Sequence, residues 1–161
     1  GFAGIPPDRT LTINAGARLF FHSQSGIIAA NASTLKINGS LSTTEALENE
    51  IIMEGDRLEP GFDDVAGQWF GIWLTDGSKN HEISYATIKN ASIGIIMDNQ
   101  NPDSNGATLK INNSQIYNSS NIGLLGTTAN IAAENLVIHN AGQSALALRS
   151  SWSLRKFIIS M

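Results

Sequence analysis

The sequence predicts an all-β chain: a single-domain, right-handed parallel β-helix, a solenoid of about five to seven coils. Three observations predict it. Short segments alternate apolar and polar residues, as in Thr34-Leu35-Lys36-Ile37-Asn38, the period of a half-buried strand. These segments recur once every 20-odd residues. Their turns are built on Asn, Gly and Ser, without a hairpin dipeptide between every pair of strands.

The repeats fall into two overlapping families. Leu11-Thr12-Ile13-Asn14, Leu35-Lys36-Ile37-Asn38 and Leu109-Lys110-Ile111-Asn112 share one pattern, and the first two lie 24 residues apart. The second family starts at Ile88, Ile116 and Ile138 and reaches Asn90, Asn118 and Asn140, spaced by 28 and then 22. Each member continues into another apolar strand, as in Ile93-Gly94-Ile95 and Ile122-Gly123-Leu124. Coils stacked about 4.8 Å apart bring equivalent residues into columns. Inward columns then explain an Ile count of 20, and Asn tolerates the left-handed turn that bends the chain. Asn90, Asn118 and Asn140 are the candidates for a structural Asn ladder, side chain bonded to side chain up the stack. Asn31, Asn38, Asn90, Asn112 and Asn118 also open N-x-S/T triplets, which an Asn/Ser-rich turn repeat generates by itself.

Between these repeats lie three departures. Ser42–Glu50 (STTEALENE) has the Thr cap and early Glu of a helical turn. Residues 55–68 form a loop excursion from the solenoid, protruding from one face. The tail over residues 149–161 lacks an Asn turn and is read as a cap on the last coil or a last coil of altered sequence. One domain, residues 1–161, contains all three.

Several sequence stretches, TLTINAGARLFFHSQSGI, LKINGSL, GDRLEPGFDDVAGQWFGIWL and ISYATIKNASIGI, resemble the right-handed parallel β-helix proteins of Bacteroidetes-type bacteria. The resemblance spans roughly residues 10–148, with GDRLE and GQW-GIWL its most specific parts. It implies the fold and an extracellular or outer-surface location. Members of that family are usually longer and have no agreed activity, so the resemblance carries over no catalytic residues.

Composition excludes some functions. Charged residues make up only 15% of the chain and the net charge is −4, which leaves no basic face for nucleic acid. Without cysteine there is no disulfide framework or thiolate metal site. No apolar run reaches the roughly 18 residues of a membrane span. His22, His81 and His139 sit in different repeats, without zinc-ligand spacing.

The candidate site is the excursion and the strand after it. Strand alternation over Trp69-Phe70-Gly71-Ile72-Trp73-Leu74 points Phe70, Ile72 and Leu74 inward and sends Trp69 and Trp73 out, about 13 Å apart. Aromatic faces on either side of a glycine suit stacking against sugar rings. Asp56, Arg57, Glu59, Asp63 and Asp64 complete the expected ligand-binding set. Their oxygens also suggest Ca²⁺, although the D-x-D-x-D-G spacing is absent. The chain thus reads as a secreted or cell-surface binding module for polysaccharide. The alternatives are a polysaccharide lyase drawing on Arg57, Lys79 and His81, a hydrolase pairing Asp56 with Asp63 or Asp64, and an ice-binding or adhesive solenoid using its threonines.

Overall fold

Among the described residues, fourteen strands wind into five stacked coils and the start of a sixth. A computed structural model describes residues 1–98 and 108–149, and among these residues there is no helix. The first coil holds β1 (Phe2–Ile5), β2 (Thr10–Asn14) and β3 (Arg18–Phe21), and the second β4 (Gly26–Ala29), β5 (Thr34–Asn38) and β6 (Ile51–Gly55). The third holds β7 (Gly71–Leu74), β8 (His81–Ser84) and β9 (Ala86–Lys89). In the fourth and fifth, β10 (Ile93–Asp98) and β12 (Ile122–Thr127) lead into the long strands β11 (Leu109–Ser119) and β13 (Ile131–Ala141). β14 (Ser144–Arg149) opens a sixth coil.

Among the described residues every strand pairing is parallel. β1, β4, β7, β10, β12 and β14 form a six-stranded sheet, the first face. The other eight strands form one bent sheet, because β11 and β13 run continuously round a corner. Leu109–Asn112 of β11 pairs with β8, whereas Gln115–Tyr117 pairs with β9. The second face is therefore β2, β5, β8 and the first halves of β11 and β13. The third face is β3, β6, β9 and their second halves.

Both corners of the bent sheet use left-handed residues. Tyr85, Asn113 and Asn135 turn the chain from the second face to the third, with φ of 47°, 46° and 49°. After the third face, Asn90, Asn118 and Asn140 do the same, with φ of 62°, 52° and 50°. Asn140 Nδ2 donates to Asn118 Oδ1, and Asn118 Nδ2 to Asn90 Oδ1, so these three form a hydrogen-bonded column. A second, shorter ladder stands at the other corner, where Asn135 Nδ2 donates to Asn113 Oδ1 over 2.8 Å.

The repeat families become the inward columns. Ile13, Ile37, Ile83 and Ile111 line up beneath the second face. Met53, Ile88, Ile116 and Ile138 do so beneath the third, and all eight are buried. Where the chain enters the first face, Gly26, Gly71, Gly94 and Gly123 stack. At Gly71 φ is 124°, and a Cβ there would run into the Ile93 carbonyl.

Ser42–Glu50 winds no helix. Leu47 takes a left-handed φ of 51°, which ends helical progression. The segment closes instead around Glu48, whose carboxylate accepts the Thr44 hydroxyl at 2.6 Å and the Thr43 N–H at 2.9 Å. Those two bonds, Thr44's foremost, hold the Glu48 pKa down to about 2. Of the tail, only Arg149 is among the described residues.

Candidate functional site

The two tryptophans part company. Trp73 faces outward from β7, but Trp69, at 1% exposure, lies in the core. Its ring stacks on Phe21 with centroids 4.2 Å apart, and its Nε1–H donates to the Lys89 carbonyl at 2.8 Å. The expectation of an outward pair fails because β7 begins at Gly71 rather than Trp69. Trp69 makes only an isolated bridge to Ala91, and Gly71 resets the alternation between them. The same reset turns Phe70 out of the expected core position. Phe70 and Trp73 pack with Phe2 as an aromatic cluster on the outside of the first face, with centroids 4.9–6.4 Å apart. Trp73 Nε1–H donates to Asp98 Oδ2 at 2.7 Å.

The excursion leaves at Gly55, where the ladder column would continue into the second coil. A Cβ at Gly55 would meet the Gln68 side chain, which folds into that space. Gln68 Nε2 donates to the Phe62 and Val65 carbonyls, 2.6 and 2.9 Å away, and closes the loop on itself. From there the loop lies along the corner after the third face. Asn90 Nδ2 donates to the Asp63 carbonyl at 2.8 Å, and Asn118 Nδ2 to Asp64 Oδ1 at 3.2 Å. The ladder thus doubles as the dock for the excursion.

The rest of the charged set is paired. Asp56 Oδ2 lies 2.8 Å from His22 Nδ1. Arg57 Nε donates to both Glu59 oxygens at 3.2 Å and its guanidinium sits 3.8 Å over the Phe62 ring. The backbone N–H of Glu59, and then Arg57, lower the Glu59 pKa. His22, Asp56, Arg57, Phe62, Val65 and Gln68 line a cleft of about 210 Å³. That is smaller than the roughly 300–1,000 Å³ of a drug-sized pocket.

Beside this loop runs a feature that the tryptophans obscured. Phe20, Glu54, Lys89, Tyr117 and His139 occupy one outward column of the third face, one residue per coil. Lys89 Nζ lies 2.8 Å from Glu54 Oε2. Burial penalises the Lys89 charge, but the Glu54 hydrogen bond and charge outweigh it and raise the pKa. Burial also raises the Tyr117 pKa, opposed by Lys89 and reinforced by Glu54 and Asp64. The Tyr117 and His139 rings stack, 4.9 Å apart and within 8° of parallel. In the neighbouring outward column Gln115 Nε2 donates to Thr87 Oγ1 at 2.8 Å.

Insertions flank this face at both ends of β6. Residues 39–50 precede the strand and the excursion follows it. Arg18, on the same face in the first coil, fastens the former by donating to the Ala46, Leu47 and Glu50 carbonyls at 3.2, 2.8 and 2.7 Å. His22 reaches the latter through Asp56. The result is a flat floor with a rim on either side.

Other expected groups lie elsewhere. His81 points into the core beneath the second face, and Thr34 and Thr108 are buried, which breaks up any flat threonine rank. Among the described residues no three His, Asp or Glu side chains gather as a cation site, and no helix is long and apolar enough to cross a membrane. No protein-family model matches this sequence, and no curated protein or solved structure matches it.

Proposed function

We propose that the protein is a binding module that holds an extended polysaccharide on its third face. One observation carries the reading: the column Phe20–Glu54–Lys89–Tyr117–His139 presents aromatic rings and hydrogen-bonding groups on a flat floor between two rims. Sugars offer apolar C–H faces and dense hydroxyls, and this mixture of rings and polar groups complements both. Asp63 and Asp64 belong to the rim of the same face, through their docking on Asn90 and Asn118. Trp73 stands across the corner, on the first face. A cell-surface or secreted setting, and kinship with the bacterial β-helix proteins, belong to the same proposal.

The lyase alternative loses two of its three basic groups. His81 is enclosed in the core and Arg57 is held by Glu59. The test is a glycan array followed by titration of the best ligand against Tyr117→Ala/His139→Ala. The double variant should bind about tenfold more weakly, equivalent to about 1.4 kcal/mol, while still unfolding in one cooperative urea transition. An unchanged affinity contradicts the reading.

A further inference from the structure

We infer that the ligand of the third face is a linear glycan free of carboxylate and sulfate groups, laid along the solenoid axis across the strands. This rests on the glycan-binding reading and narrows it by charge and by direction.

Charge comes first. Residues 45–64, which are β6 with parts of both rims, contain eight of the fourteen acids of the chain and a single base, Arg57. On the floor itself, Lys89 is paired with Glu54. At the edges Arg57 is held by Glu59, and the Arg18 guanidinium is occupied by backbone carbonyls. A polyuronate or sulfated chain would therefore meet an excess of like charge and no uncommitted cation among these groups. Like-charge juxtaposition across an interface opposes binding. What the floor offers instead is neutral: the Tyr117 phenol, whose pKa is pushed up, the Gln115 amide and the edges of the stacked rings. Hydroxyl groups match these as both donors and acceptors.

Direction follows from the rims. A chain laid along the strands would cross both insertions at the second coil. Across the strands the column is continuous over five coils. At about 4.8 Å per coil it is about 19 Å long. The excursion docks on Asn90 and Asn118, of the third and fourth coils, and so extends the rim beside that path.

Affinity electrophoresis of the intact protein, at low and at physiological salt, separates the outcomes. The gels contain a neutral β-glucan, a polygalacturonate or a sulfated galactan, and oligomers of the retained polymer are then titrated. The neutral polymer should retard the protein, and affinity should climb at least tenfold between a disaccharide and about four to five sugar units. The anionic gels should leave mobility unchanged. Salt-sensitive retention by the polygalacturonate or the sulfated galactan overturns the charge inference but leaves glycan binding standing. A disaccharide that binds as tightly as a pentasaccharide overturns the direction. No retention in any gel, joined to a blank glycan array, overturns the glycan reading itself.

Discussion

His81 occupies a position that Leu35 and Leu109 fill in the coils on either side. Its Nδ1 accepts the Leu35 N–H at 3.0 Å, and its Nε2 lies 3.0 Å from Ser78 Oγ, so the neutral ring is built into the core. Burial depresses its pKa from 6.5 to about 4. Between those values the unfolded chain binds a proton that the folded one does not, so stability rises with pH across the window. The contribution is present above pH 6.5 and is lost as pH falls toward 4, and it amounts to at most about 3 kcal/mol. Urea unfolding from pH 4 to 7 should show this slope, and His81→Leu should flatten it. The same variant costs about 1–3 kcal/mol at pH 7 by leaving the Leu35 N–H without its acceptor. Equal slopes in both proteins would remove His81 as the cause. The substitution of His for Leu escapes a reading of the repeat, because His81-Glu82-Ile83-Ser84 keeps only the Ile of L-[TK]-I-N. Trp69 was illegible for a different reason. Alternation predicts direction only within one strand, and a single residue at a φ of 124°, Gly71, separates Trp69 from the strand it appeared to begin.

At the scale of elements, the Asn column links the solenoid to its excursion. Asn118 is the central member: it accepts from Asn140 and donates both to Asn90 and to Asp64. Asn118→Ala should therefore cost about 1–3 kcal/mol in urea unfolding. Asn140→Ala, at the exposed end of the column, should cost less. A reversal of that order would contradict the column as a stabilising device. Three ladder positions could be read from spacing. The Asn113–Asn135 pair could not, because Tyr85 takes its place in the third coil and hides the period. The third-face column hid in plain sight, as the residue just before each ladder Asn: Lys89, Tyr117 and His139. Three different side chains at unequal spacings give no periodic signal. Only the register reveals that they share a column, and that Glu54, followed by Gly55 rather than Asn, belongs with them.

For the whole molecule, stacking makes the fold nearly one-dimensional: each coil contacts its neighbours, and long insertions are tolerated wherever they leave the inward columns intact. Both rims arise from the second coil and border one face, so the scaffold is regular where it builds the floor and irregular where it builds the walls. The central claim is that the third face is where a glycan binds. Amide chemical-shift mapping during titration with a neutral oligosaccharide tests it most directly. The largest shifts should fall on β6, β9, the second halves of β11 and β13, and residues 56–68. Shifts confined to the first face around Trp73, or spread without regard to the column, would contradict it.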